Sequence, residues 1–219
     1  MHDGLDSMEV LYEDNHVIVV NKPAGVAVQA AQKGEQDLLT LVKQFIKERD
    51  KKPGNVFLGL VHRIDRPVSG VILCAKTSKG ASRLSAQMRE GLIEKTYQAV
   101  VHGALQPKKA RLEHFLSKVK HGTGYKAVIS PEGNQSVLEY EVIKSNKKYS
   151  LLSIHLETGR FHQIRAQLVA IGHPIVGDTL YGSSEHLKND EIRLRAVKVS
   201  FNDVITGKRH SVETGHLTY

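Results

Sequence analysis

The sequence has little cysteine and no long apolar run. Cys74 is the single cysteine among 219 residues, which excludes a disulfide framework and a cysteine-rich zinc site. The longest apolar stretches, 17–20 and 71–75, have the length of strands, whereas a membrane span needs roughly 20 apolar residues. We therefore expect a protein of the reducing cytoplasm that does not enter a membrane.

The N-terminal residues lack a targeting pattern. Residues 1–7 contain neither a basic segment nor an apolar segment, so we expect no secretory signal. We expect them to form a disordered extension ahead of a single domain over residues 8–219. A chain of this length buries roughly 70% of the surface that its unfolded state exposes, so its core needs no covalent staple.

Acidic residues are fewer than basic ones. The chain has 31 Lys and Arg against 23 Asp and Glu, which gives a net charge of +8 with the 12 His neutral. Such an excess favours a polyanionic partner, and nucleic acid is the commonest. A solvated lysine-rich surface explains the same charge, so the charge suggests a class of partner without identifying one.

Hydrophobic patterning predicts many strands and three helices. Asp37 is a candidate N-cap for the first helix, Ser78 caps a second that runs to Glu90, and a third covers residues 162–171. The predicted strands cover residues 17–20, 56–61, 70–75, 96–101, 111–118, 136–144, 149–157, 194–201 and 209–212. Because strands follow one another without alternating helices, we expect an α+β fold with a mostly antiparallel sheet.

The first candidate segment for chemistry covers residues 62–70. It places Asp65 between two arginines, at a break between two apolar strands. Pro67 and Gly70 restrict the backbone, so a carboxylate here can project into a cleft while the flanking strands hold it. A surface turn with an ion pair explains the segment equally well.

The second candidate segment covers residues 156–182. A strand ends at Thr158 and a helix opens near His162, so the first helical turn offers backbone N–H groups beside Arg160 and Gln163. Such a turn suits a phosphate. An ordinary capped amphipathic helix explains the apolar positions but leaves the polar crowding unexplained.

Two other kinds of site are weaker. The glycine-rich residues 122–126 lack the spacing and the Lys-Ser/Thr ending of a phosphate loop and predict a surface turn. No histidine lies at a recognised ligand spacing from another metal-binding residue, so we expect no metal.

Four blocks in order resemble the RluA family of RNA pseudouridine synthases, the large-subunit rRNA and tRNA type. They cover residues 13–25, 62–70, 94–103 and 158–165, the last running on to 177–182. Val68 stands where the family usually has Thr, and Gln167 where it often has His. Many members also carry a small N-terminal RNA-binding domain of the S4 type, which we expect this chain to lack.

The resemblance implies one α+β catalytic domain, with a mixed, mostly antiparallel sheet, a few flanking helices and an active-site cleft across the sheet. It implies an isomerase that converts uridine in structured rRNA or tRNA to pseudouridine after base flipping, without cofactor or metal. The resemblance further implies a monomer that acts in the cytoplasm. Its implied partner is RNA, and we expect it to bind neither DNA nor a membrane.

The resemblance also implies roles for particular residues. Asp65 matches the family's catalytic carboxylate, Arg165 the arginine that pairs with it, and Tyr97 the active-site tyrosine whose ring can stack on uracil. Arg63 is expected to hold or replace the extruded nucleotide. Further RNA contacts are expected at Lys22, Lys95, Arg160, His162 and Gln163.

Two alternatives stay open at this point. A catalytically silent RNA-binding module of the same fold would be indicated by substitution of Asp65, Tyr97 or Arg165, and all three are present. A metal-dependent phosphodiesterase would lose its activity on chelation.

Overall fold

The computed structural model describes residues 9–30 and 35–218. The chain divides into two compact units: unit 1 contains Met1–Glu94 and Ala196–Gly215, and unit 2 contains Lys95–Arg195 and His216–Tyr219. The extension expected over residues 1–7 lies outside the described residues. The expectation that residues 8–219 form a single domain stays a prediction.

The described residues form eleven strands and three α-helices, which confirms the α+β class with mostly antiparallel pairing. The strands are β1 (Glu9–Glu13), β2 (Val17–Lys22), β3 (Gly59–Leu60), β4 (Ser69–Ala75), β5 (Glu94–His102), β6 (Lys109–His121), β7 (Gly124–Ile129), β8 (Asn134–Ser145), β9 (Tyr149–Leu156), β10 (Leu194–Asn202) and β11 (Arg209–Glu213). The helices are α1 (Leu38–Arg49), α2 (Ser78–Arg89) and α3 (Gln163–Ala170).

Unit 1 is built around two buried neighbouring strands. Its strands follow the order β1-β2-β4-β10, with β3 on β4 and β11 on β10. All seven residues of β4 are buried, and β2 runs antiparallel to it from the pair Val17–Ala75 to the pair Lys22–Gly70. The apolar runs of the sequence therefore form the centre of this sheet, because a strand covered on both faces needs no polar alternation.

The helix caps of unit 1 show where local sequence decides structure. Asp37 caps α1 as predicted, and its Oδ1 accepts a hydrogen bond from the Thr40 N–H at 2.7 Å. The predicted cap of α2 was wrong by one residue: Thr77 Oγ1, not Ser78, accepts from the Gly80 N–H at 3.0 Å. Both residue types can cap a helix, and only the backbone geometry chooses between neighbours.

Two strands of unit 1 differ from the prediction. The strand expected over 56–61 pairs with β4 only at Gly59 and Leu60. The edge strand β1 was missed, because its sequence does not alternate between apolar and polar residues and its five residues are exposed or half-buried.

Unit 2 contains a sheet of long antiparallel strands in the order β5-β9-β8-β6-β7. Strands β6 and β7 form a hairpin whose turn lies between His121 and Gly124. The surface turn predicted over residues 122–126 is therefore confined to residues 122 and 123, and residues 124–126 belong to β7. Leu116 and Ala127 of this hairpin pack with Ala166 of α3 and with Tyr181. Helix α3 is thus attached to one face of the hairpin.

Candidate active site

Asp65 lies in the loop that connects β3 to β4. The Val68 N–H donates to the Asp65 carbonyl at 3.0 Å, which closes a turn at the entrance of β4. Ile64 and Val68 are buried, whereas Asp65 is half-buried and Arg63 is exposed. The apolar neighbours therefore anchor the loop and leave the two charged side chains at its surface.

Gly70 allows this loop to join β4. Its φ is +119°, a backbone conformation that side chains with a Cβ rarely adopt. A Cβ at this position would also lie 2.1 Å from the Ala196 carbonyl oxygen, closer than any real contact. Only glycine fits there, so the end of the 62–70 block is fixed by backbone geometry.

Lys22 ties the first block of the sequence to the Asp65 loop. Its ammonium donates to the carbonyls of Pro23 (2.9 Å), Val26 (2.7 Å) and Arg66 (3.1 Å). In addition, Arg66 and Gly25 exchange two hydrogen bonds, from the Gly25 N–H to the Arg66 carbonyl and from Arg66 Nε to the Gly25 carbonyl. The blocks 13–25 and 62–70 are therefore locked together.

The location of Lys22 corrects its expected RNA contact. The side chain is 0% exposed, and its three N–H donors match three carbonyl acceptors. Burial lowers the pKa of Lys22 to about 7, while the nearby Asp65 carboxylate opposes that shift and the Arg66 guanidinium adds to it. Lys22 supports the loop from inside, where no phosphate can reach it.

Arg165 is held in a buried ion pair of unit 2. Its Nε and Nη2 donate to the two carboxylate oxygens of Asp178 at 2.7 and 2.8 Å. Arg165 is 4% exposed and Asp178 is 1% exposed. A bidentate pair of this kind fixes the plane of the guanidinium.

Asp178 was missed as a site residue by the sequence reasoning. It belongs to the block 177–182, which supported the family resemblance without being given a role. The signal that could have found it is chemical: an arginine on a short, mostly buried helix needs an acidic partner, and Asp178 is an acid within that block.

His162 and Tyr181 complete the surroundings of Arg165. One His162 ring nitrogen lies 3.0 Å from Arg165 Nη1 and the other 3.1 Å from the Tyr181 hydroxyl. The Tyr181 ring lies 4.9 Å from the guanidinium carbon, and its hydroxyl accepts from the Ala127 N–H at 2.7 Å. His162 adopts φ 51°, an uncommon conformation for a residue with a Cβ, which these contacts hold in place.

Gln163 also differs from its expected role. It is 3% exposed, its Oε1 accepts from the Arg160 N–H and the Thr158 hydroxyl, and its Nε2 donates to the Val137 carbonyl. Both ends of the amide are used in shaping the turn before α3. Gln163 is therefore corrected from an RNA contact to a residue that holds this turn.

Lys95 and Arg160 flank the same turn of unit 2. Arg160 is exposed, and its Nε donates to the Gln135 carbonyl at 3.2 Å. A Cβ placed on Gly159 would lie 3.5 Å from the Lys95 Nζ, so this ammonium lies beside the turn. Burial lowers the pKa of Lys95. Tyr97, two residues later in β5, is 6% exposed and pairs with Ile154 of β9.

The structure offers little support for other chemistries. Within residues 9–30 and 35–218, no three His, Cys, Asp or Glu side chains are grouped so that they could hold a metal. Burial raises the pKa of the Cys74 thiol to about 12, which makes it a poor nucleophile.

In the described part of the chain, every helix is too short or too polar to cross a membrane.

A family model supplies the decisive comparison. The model of the RNA pseudouridylate synthase family matches residues 16–170, which is more than half of the chain. The chain belongs to this family. The match confirms the family resemblance. Its range covers the four blocks except residues 13–15 and 177–182, and it includes Asp65, Tyr97 and Arg165.

Curated relatives agree with the family. The chain is 35% identical over 202 residues to an uncharacterized RNA pseudouridine synthase of Bacillus subtilis (strain 168), covering 91% of this chain and 65% of that protein. It is 36% identical over 209 residues to ribosomal large subunit pseudouridine synthase C of Buchnera aphidicola subsp. Schizaphis graminum, covering 91% and 64%. The chain thus spans slightly less than two thirds of the length of these relatives.

Solved structures agree with the fold. The human RNA pseudouridylate synthase domain containing 4 superimposes with a TM-score of 0.79 at 20% identity, covering 97% of this chain and 90% of that one. The human protein RNA pseudouridylate synthase domain containing 1 gives a TM-score of 0.78 at 21% identity. That superposition covers 97% of this chain and 84% of the human chain. At this identity the likeness establishes the fold alone.

Proposed function

We propose that the protein isomerises specific uridines in structured rRNA or tRNA to pseudouridine, with the Asp65 carboxylate as the reacting group. The observation that carries this proposal is the family match over residues 16–170, because it contains Asp65, Tyr97 and Arg165 in one family pattern. The reaction breaks the bond between C1′ and N1, rotates the uracil and forms a bond between C1′ and C5. C5 loses its proton and N1 gains one, so the atoms balance and no electrons are gained or lost.

Arg165 is proposed to pair with Asp65 and to keep that carboxylate ionised and oriented. A guanidinium has five N–H donors, and Asp178 receives two of them. One arginine can therefore donate to a structural carboxylate with two of its N–H groups and to a reacting carboxylate with others. The buried pair with Asp178 supports this proposal, because it fixes the direction in which Arg165 donates.

Arg63 and Tyr97 are proposed to handle the flipped base. A uridine in structured RNA is stacked or paired and must leave the stack before it can react. Arg63 is exposed and two residues from Asp65, which suits a side chain that fills the vacated position or holds the extruded phosphate. The ring of Tyr97 is proposed to stack on the uracil.

Phosphate contacts are proposed for Lys95 and Arg160, which flank the turn before α3. The contact expected at His162 is not proposed, because its two ring nitrogens face Arg165 and Tyr181. We further propose a monomer acting in the cytoplasm. The buried Cys74 thiol suits a reducing compartment, because the sequence contains no second cysteine with which it could form a disulfide.

The test is the Asp65→Asn variant, which keeps the shape of the side chain and removes its charge. Tritium release from 5-tritiated uridine should fall about 10⁴-fold or more, because the group that forms or breaks bonds is lost. The substrate is rRNA and tRNA from cells that lack the gene, and RNA binding is measured in parallel. Asp190→Asn, at an exposed position, is the matched control.

Two results would contradict the proposal. Full turnover by Asp65→Asn, with deamidation back to Asp excluded by mass spectrometry, would remove Asp65 from the chemistry. Wild-type protein that binds these RNAs and releases no tritium would instead be the catalytically silent binding module.

A further inference from the structure

The β6–β7 hairpin has a polar and aromatic face that the proposed reaction does not use. Residues 114–131 contain three lysines and no Asp or Glu. In the hairpin register, Lys120 lies opposite Tyr125 and Lys118 lies opposite Ala127. Directly opposed side chains of an antiparallel pair project to the same face, and so do alternate residues of one strand. Lys118, Lys120 and Tyr125 therefore share one face, called here the hairpin face.

The hairpin face is exposed, and contacts between its side chains restrict their positions. Lys118 and Lys120 are exposed, and Tyr125 is 52% exposed. The Lys118 ammonium lies 4.3 Å from the centre of the Tyr125 ring and 4.8 Å from that of Phe161. Two rings around one cation restrict both the lysine and the tyrosine before any ligand arrives.

The hairpin face is continuous with the surroundings of Arg165. Phe161 stacks on the His162 ring with the ring centres 3.8 Å apart and the planes inclined by 17°. His162 in turn contacts Arg165 Nη1 at 3.0 Å. A chain of contacts thus runs from Tyr125 through Lys118 and Phe161 to the arginine that is proposed to orient Asp65.

We propose that the hairpin face binds a single-stranded stretch of the RNA substrate, with one base stacked on Tyr125 and phosphates paired with Lys118 and Lys120. This inference rests on the proposed function and names where that RNA lies. Exposed aromatic rings beside lysines fit single-stranded nucleic acid, because every base has a π-face and every nucleotide a negative charge. An acidic peptide would satisfy the lysines and leave the tyrosine ring without a base to stack on.

The first test measures the affinity for fluorescein-labelled dodecauridylate by fluorescence anisotropy. Tyr125→Ala should weaken binding about fivefold or more, since stacking of one base contributes at least ~1 kcal/mol. Tyr125→Phe keeps the ring and should stay within about twofold of wild type. Equal affinities for Tyr125→Ala and wild type would overturn the stacking.

The second test isolates the two lysines. The double variant Lys118→Gln/Lys120→Gln should reduce the slope of log K against log salt by about 1.4, since each single-strand phosphate contact contributes ~0.7. The matched control is Lys47→Gln/Lys147→Gln, which removes the same charge from exposed positions elsewhere. Equal slopes for the test and control variants would overturn the site, and so would stronger displacement of the oligonucleotide by polyglutamate than by unlabelled RNA.

Turnover separates this inference from the function on which it rests. With RNA as substrate, Tyr125→Ala should raise KM and leave kcat near the wild-type value, because Tyr125 is placed outside the reacting groups. Equal losses in kcat and kcat/KM would assign Tyr125 to the chemical step and overturn a binding role. If wild-type protein released no tritium, the proposed function would fail, and the oligonucleotide titrations would still decide whether the hairpin face binds RNA.

Discussion

Each unit of the molecule contains a buried cation, and the two cations are stabilised differently. In unit 1, Lys22 is 0% exposed and donates to three backbone carbonyls. In unit 2, Arg165 is 4% exposed and forms a bidentate pair with Asp178. Carbonyl dipoles compensate a buried charge less fully than a carboxylate does, so the two arrangements should respond differently to mutation and pH.

The difference shows why the two residue types are not interchangeable. The guanidinium of arginine stays charged at all relevant pH values, so the positive charge buried in unit 2 does not change with pH. The ammonium of lysine can lose its proton, and burial lowers the pKa of Lys22 to about 7. The support of the Asp65 loop should therefore depend on pH, whereas the support of Arg165 should not.

The largest expected effect is that of Asp178→Asn. Removing the carboxylate breaks the bidentate pair of the buried Arg165, which should lower the free energy of unfolding by about 3–5 kcal/mol. Urea unfolding at pH 7 measures the loss. The double variant Arg165→Met/Asp178→Asn should recover part of the stability, since no buried charge remains. A loss below about 1 kcal/mol for the single variant would contradict the importance of the pair.

A smaller loss is expected for Lys22→Met. The variant keeps much of the buried stem and leaves the three carbonyls without this donor, which should cost about 1–3 kcal/mol in urea unfolding at pH 10, where folded Lys22 is neutral and burial of its charge no longer opposes folding. Lys47→Met, at an exposed position of α1, is the control and should stay within about 0.5 kcal/mol of wild type. Equal stabilities of the two variants would show that the carbonyl contacts of Lys22 contribute nothing.

The pH dependence of stability should separate the two cations. Between pH 7, where folded Lys22 loses its proton, and its ordinary pKa of 10.5, the unfolded chain binds more protons than the folded one. Lys22 therefore makes the free energy of unfolding rise with pH over this range, by at most ~1.4 kcal/mol per pH unit. Urea unfolding in steps from pH 6.5 to 10 should show a flatter profile for Lys22→Met, whereas Arg165→Met should keep the wild-type slope. Identical slopes for wild type and Lys22→Met would contradict the low pKa.

The smallest expected effect is a change in the pKa of Lys22 itself, read from the NMR signal of its ε-carbon. Asp65→Asn removes the carboxylate that favours the ammonium and should lower this pKa, whereas Arg66→Gln removes a repelling cation and should raise it. Each change should be below about one pH unit. Shifts of the same sign in both variants would show that the two charges do not act directly on Lys22.

Local features of the fold could be predicted from the sequence. The apolar runs around 17–20 and 71–75 became β2 and β4, and the cap at Asp37 was correct, because both depend on a few consecutive residues. The strand expected over 56–61 was shortened, because a partner strand was present for two of its residues only. Pairing is a property of the sheet and not of the segment.

The roles of individual polar residues could be predicted less well. Lys22 and Gln163 have residue types that suit RNA contacts, yet both are buried with their polar atoms engaged. One of the three carbonyls that accept from the Lys22 ammonium belongs to Arg66, 44 residues further along the chain. Burial of this kind depends on which distant segments fold over a side chain, and a short stretch of sequence around that residue does not show it.

By itself, the sequence determined the α+β class and most of the strands and helices. It also determined the four blocks that place the chain in its family. These features could be predicted because periodicity and motifs are carried by residues close together in the chain. Tertiary structure alone decided that Lys22 supports the Asp65 loop, that Asp178 pairs with Arg165, and that Lys118 lies between two aromatic rings. The physical reason is that the partner of a charge is set by proximity and desolvation in the folded chain, and both arise only when distant segments pack together.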